Sequence, residues 1–159
     1  MLFAMMMTAS AAPLLPPPAS PLPGSAAVRG MTARWRVEPE AVVFELQGET
    51  TGWLLVGFND RDDIVGADLT FARVVDGVAT LHDHTVHAPG DHRAVPLQTT
   101  LLGSDQRDGR TAVRFRVPRD RAGAHALSGE LWLVLAWSVS PDLDHHSRVR
   151  AHQQISLPE

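Results

Sequence analysis

From Thr32 onward the sequence alternates apolar and polar residues with period two, and turn signals recur roughly every eight to twelve residues. No segment carries a capped helical period, so the chain is restricted to strands. Ala33, Trp35 and Val37 alternate with Arg34 and Arg36, and Val42, Phe44 and Leu46 alternate with Val43, Glu45 and Gln47. That pattern rests one face on a core and leaves the other in water. Gly52 to Phe58 is continuously apolar, as expected of a central strand covered on both sides. Asp76-Gly77 and Asp108-Gly109 each mark a tight type I′ hairpin, between segments 69–75 and 78–86 and between 99–102 and 111–117. Leu131 to Trp137 reads as the most buried strand and Gln153 to Leu157 as the last. About eight to ten short strands imply an all-β fold, an antiparallel immunoglobulin-like β-sandwich. A chain of 159 residues suffices for one such core.

Residues 1–30 differ from the rest. Leu2 to Met7 form a short apolar run, and Ala9-Ser10-Ala11 offers the small-x-small pattern of a signal-peptidase site, although no Lys or Arg precedes the run. Pro13, Pro16 to Pro18, Pro21 and Pro23 follow, and proline at this density favours an extended, solvated chain. The expected organisation is a signal-like leader and proline-rich linker over 1–30, then a sandwich domain over 31–159. The domain is expected to melt at an unchanged temperature without residues 1–30. Export to the periplasm or the cell exterior follows from the leader. No other stretch approaches the ~20 apolar residues of a membrane span.

Composition removes several chemistries. The net charge of −4 argues against nucleic-acid binding, which calls for a basic face. Cysteine, lysine and tyrosine are absent, which excludes disulfides, thiolate metal sites, Schiff bases and phenolate ligands. No Gly-x-Ser-x-Gly elbow, glycine-rich phosphate loop or His-Glu-x-x-His motif occurs, so the chain reads as a binding or accessory domain and not as an enzyme.

Three segments carry a family likeness. They are Gly52-Trp53-Leu54-Leu55-Val56-Gly57-Phe58 with the acidic loop Asn59 to Asp63; Ile64-Val65-Gly66-Ala67-Asp68-Leu69; and Leu135-Ala136-Trp137-Ser138 followed by Asp144-His145-His146-Ser147-Arg148-Val149-Arg150. Together they resemble the DOMON family, found beside catecholamine hydroxylases, in cellobiose-oxidising cytochromes and in front of transmembrane b-type cytochromes. The resemblance covers roughly Thr32 to the C-terminus. It implies extracytoplasmic binding of heme or a sugar-like ligand, in support of a membrane cytochrome or another oxidoreductase partner. In heme-binding members a methionine before the Gly-Ala-Asp stretch and a late histidine ligate the iron. Here the methionine position is Ile64, whereas His146 stands four before Arg150 as in the family's His-x-x-x-Arg pattern. The acidic loop is more similar to that of the catecholamine hydroxylases' domain, which holds no heme.

Five of the eight histidines fall in two clusters, His82, His84 and His87, and His145 and His146. Imidazole suits heme iron, copper or zinc, but histidines in such runs also serve as hydrogen-bonded loop residues. If heme b binds through two protein ligands, His146 is the expected first and His84 the second, with His145 beside them. Arg150 is then placed to meet a propionate, or it forms an exposed edge-strand charge pair with Arg148. The readings left open are a heme-binding electron-transfer module, a non-heme accessory domain of a copper monooxygenase or other oxidoreductase, and a carbohydrate-binding module using Trp35, Trp53, Trp132 or Trp137. Asp60, Asp62 and Asp63 either gather calcium or hold their own loop, and Asp68 is expected to tie down the Gly66-Ala67 turn.

Overall fold

Eleven strands and no helix form among the described residues, 12–159, of the computed structural model. In chain order they are β1 (Gly24–Val28), β2 (Met31–Val37), β3 (Ala41–Gly48) and β4 (Leu54–Asn59). Then come β5 (Asp68–Val75), β6 (Val78–Ala88), β7 (Asp91–Ala94) and β8 (Thr100–Arg107). The last are β9 (Arg110–Pro118), β10 (Gly129–Trp137) and β11 (Val149–Leu157). A five-stranded sheet runs β1-β2-β3-β9-β8 and a six-stranded sheet runs β11-β10-β4-β5-β6-β7, every pairing antiparallel. The fold is the all-β sandwich the alternation predicts. Both Asp-Gly hairpins form as their chemistry demands, with positive φ at Asp76 and Gly77 (51° and 78°) and at Asp108 and Gly109 (53° and 73°).

The inner faces of the two sheets meet in one core. Phe44 is its centre, with ring centroids 5.6 Å from Phe58, 5.9 Å from Trp35 and 6.1 Å from Phe115. Leu54, Val56, Phe58, Leu133 and Leu135 come to it from the six-stranded sheet. The continuously apolar β4 is buried at every position, because its outward residues are also covered. Leu55 joins Trp53, Leu69, Phe71, Val86, Val134 and Ala136 in a second apolar cluster on the outer face of this sheet.

Residues 13–23 are not the solvated linker that their proline content predicts. They form a strap across the outer face of the five-stranded sheet and lead into β1, which pairs with β2. Leu14 and Leu15 pack on Ala112, and Leu22 is fully buried. Proline has no amide donor to enter a sheet, but its carbonyl still accepts. Four arginines supply the donors: Arg107 to Pro13 (2.9 Å), Arg114 to Pro16 (2.7 Å), Arg36 to Ser20 (2.7 Å) and Arg34 to Leu22 (3.3 Å). The outward arginines of the alternating strands are thus the strap's anchors. The apolar run Leu2 to Met7 and the Ala9-Ser10-Ala11 pattern lie outside the described residues.

Asp68 holds a more distant element than the turn before it. Gly66 and Ala67 are fixed by backbone bonds, Gly66 N–H to Val86 O (2.9 Å) and Ala67 N–H to Ile64 O (3.1 Å). The Asp68 carboxylate instead accepts from the backbone amide (2.5 Å) and Nδ1 (2.7 Å) of His125, and lies 3.8 Å from the buried guanidinium of Arg121. It therefore clamps the β9–β10 loop onto the sandwich.

Candidate functional site

A cleft of about 420 Å³ opens on the outer face of the six-stranded sheet. Its floor is Trp53, Leu55, Leu69, Phe71 and Ala136, the residues of β4, β5 and β10 and their margins that point away from the main core. Trp53 and Phe71 meet edge to face at 5.0 Å and stiffen that floor. The strand register sets the two ends. β4 pairs with β10 from Leu54↔Trp137 to Asn59↔Trp132, so the loop after β10 and the loop after β4 lie at opposite ends of the sheet. The first end carries Leu143 to Ser147 and Arg150, and the second carries Ile64 and the Pro89–His92 hairpin.

The β10–β11 loop is fixed through Ser138, which is fully buried. Its backbone bonds Trp53 (3.0 Å), and its carbonyl accepts from the Thr50 hydroxyl (2.6 Å). Its Oγ is 3.0 Å from His145 Nδ1 and 3.2 Å from the His146 carbonyl. The His145 and His146 rings stack at 4.6 Å and 19°, His145 half-buried and His146 exposed. Gly52 lies directly against this loop, where a Cβ would collide with the Ser138 carbonyl and the Ser140 amide. Gly52→Ala is therefore expected to cost about 1–3 kcal/mol, because the backbone must move to admit the methyl. A thermal melt shifted by less than a degree or two would contradict that.

At the other end Gly90 adopts φ 74° to close the β6–β7 hairpin, which sets His92 opposite Val86. His92 Nδ1 lies 2.9 Å from His84 Nδ1, and both rings rest on Phe71, at 5.3 and 5.1 Å. Burial is the main reason the His84 imidazole titrates below the ordinary histidine value, reinforced by repulsion from His92 and His82. His82 is also lowered, first by burial and then by Arg73. Asp91, forked by Arg93 at 3.2 and 3.0 Å, keeps its carboxyl below the usual range.

Of the residues singled out in the sequence, His145, His146 and Arg150 line the cleft together. His84 does not; it backs His92 from beneath. His92 is hidden in the sequence because β7 is only four residues long, too short to show alternation. The dipeptide Pro89-Gly90, a turn signal that folds the following histidine back over β6, is the feature that could have revealed it. Ser138 closes one of the three family segments, but nothing in the sequence marks it as the buried anchor of the loop that follows.

The aspartates of the acidic loop face separate partners, one within the loop and two outside it. Asp63 Oδ1 accepts from the Val65 amide (2.9 Å), Asp62 meets His152 Nδ1 (2.8 Å), and Asp60 is 4.0 Å from His125. No group of three or more His, Asp or Glu converges on a metal position among the described residues. Trp35 belongs to the main core and Trp137 packs against it, whereas Trp53 is the indole of the cleft. Trp53 Nε1 is buried with no hydrogen-bond partner among the described residues, so the floor retains one unspent donor.

The donor set fits a non-covalently held heme: imidazoles at both ends, an aromatic floor, a cation at the rim and no thiolate. Among the described residues no helix is long and apolar enough to cross a membrane. Two solved structures share the fold. The cytochrome b domain of pyranose dehydrogenase from Coprinopsis cinerea superposes with a TM-score of 0.64 at 13% identity, over 79% of this chain and 75% of that one. The cytochrome domain of Myriococcum thermophilum cellobiose dehydrogenase gives 0.61 at 10% identity, over 80% and 74%. The family model for the DOMON domain matches residues 29–128, from the turn before β2 to the residue before β10. That span is more than half of the sequence and holds most strands of both sheets, and on it this chain belongs to the DOMON domain family.

Proposed function

We propose that this domain binds b-type heme in the outer-face cleft and works as an electron-transfer module for a separate oxidoreductase. The observation that carries the reading is the cleft itself, an apolar, aromatic floor with imidazoles at both ends. Concave, mostly apolar sites with a few convergent polar groups are the usual form of cofactor pockets. When bound, the heme would supply the one-electron chemistry, and the protein would supply burial, ligation and orientation. Trp53, Leu55, Leu69 and Phe71 would exclude water from the macrocycle's apolar edge. Arg150 would pair with a carboxylate at the rim. The likeness to cytochrome domains of two sugar-oxidising dehydrogenases supports this reading, as does family membership.

Export is part of the proposal. Cleavage after Ala11 would leave the strap whole, since its packing starts at Leu14. Protein expressed with supplementary heme and purified should be red, with a Soret band and a b-type pyridine hemochrome spectrum. Colourless protein that takes up no hemin would overturn heme binding and favour the accessory role by protein contact alone.

A further inference from the structure

The two ends of the cleft share one device. At the loop end, His145 Nδ1 is engaged by the buried Ser138 Oγ at 3.0 Å. At the hairpin end, His92 Nδ1 is engaged by the buried His84 at 2.9 Å. In each case the Nδ1 edge is tied down, which leaves Nε2 as the nitrogen without a hydrogen-bond partner among the described residues. Ligating histidines are typically oriented this way, with the second ring nitrogen bonded so that tautomer and ring plane are fixed. His146 is exposed and its ring is held by stacking on His145, with no such side-chain bond among the described residues. His84 lies beneath His92 and does not line the cleft.

The hairpin end is also where a ligand is needed. Ile64 closes the cleft there and offers no lone pair. Its loop is stitched to β6 through Gly66 N–H to Val86 O (2.9 Å) and Val86 N–H to Ala67 O (3.1 Å), and Val86 is the residue paired with His92. His92 is thus one strand away from Ile64 on the same face. The remaining cleft groups at that end are apolar, or are Asp91, whose carboxylate is occupied by Arg93.

We infer that His92 and His145 are the paired iron-ligating imidazoles of this domain, with His84 and Ser138 as their positioning residues. This rests on the heme-binding reading above, and names the ligands within it. Where Ile64 forecloses a thioether, the β6–β7 hairpin delivers an imidazole to the same end of the cleft.

The test uses the full chain reconstituted with hemin. Wild-type protein should give the low-spin ferric optical and EPR signature of two imidazoles. His92→Ala and His145→Ala should each retain heme but turn high-spin, and added imidazole should restore the low-spin spectrum. His146→Ala should stay low-spin. His84→Phe, which keeps a flat ring beneath His92 and removes the hydrogen bond, should stay six-coordinate with a shifted midpoint potential, and His84→Asn, which returns a hydrogen-bond partner to His92 Nδ1, should bring the potential back toward the wild-type value. Heme-loaded wild-type protein that is high-spin, or His92→Ala protein that remains low-spin without added imidazole, would overturn the assignment and leave heme binding intact. Wild-type protein that takes up no hemin would overturn both.

Discussion

Removing residues 1–23 will lower the melting temperature by about 8 °C or more. The deletion spares β1 but removes Leu14, Leu15 and Leu22, all buried. Each buried leucine side chain contributes ~1.5–3 kcal/mol, an upper estimate because the unfolded chain already hides some of that surface. The same cut strips carbonyl partners from Arg34, Arg36, Arg107 and Arg114. Arg114 keeps Glu45 at 2.6 Å, so its loss is partial. A total of about 4–6 kcal/mol is a large share of a domain's stability and corresponds to roughly 2–4 °C per kcal/mol at this size. A shift below about 3 °C would show that the strap is dispensable, the outcome that the proline content alone predicts.

Asp68→Ala will destabilise the domain by about 3–5 kcal/mol, more than Gly52→Ala does. Arg121 is nearly inaccessible, its side chain 3% exposed, with its guanidinium 5.6 Å above the Phe58 ring and its Nε unpartnered among the described residues. Burial already pulls the Arg121 pKa below the ordinary arginine value, opposed chiefly by Asp68 and then by Asp83. Deleting Asp68 strands that charge and frees the His125 amide and ring as well. Pairing the change with Arg121→Met should recover most of the loss, since an apolar side chain of similar length needs no counter-ion. Denaturant melts of the single and double variants measure this. A double variant no more stable than Asp68→Ala would contradict the ion-pair account.

The sandwich is legible in the sequence because period-two alternation and Asp-Gly turns are local signals, read from neighbouring residues. The strap is not, because its partners are arginines 12 to 98 positions away whose donor role depends on the folded sheet. At the site, His145, His146 and Arg150 are readable since they follow a conspicuous buried strand. Alternation tells that His82 and His84 share a face of β6 but not which face, and the register opposite Leu69 is what puts His84 on the outer one. Its exclusion from the cleft is equally invisible, because that depends on a four-residue strand folding back through Gly90. Trp132 and Trp137 obey the parity of β10. Trp137 faces the main core with Leu133 and Leu135, and Val134 and Ala136 face the cleft side.

Equilibrium titration of hemin into the full chain, followed at the Soret band, measures whether the outer-face cleft holds heme. Wild-type protein is expected to saturate at one heme per chain. Ile64→Trp and Leu143→Trp, each placing an indole in the cleft from a half-buried loop position, should weaken uptake by at least tenfold while the far-UV spectrum is unchanged. Stoichiometric uptake that neither indole disturbs would place the heme elsewhere and contradict the assignment of function to this cleft.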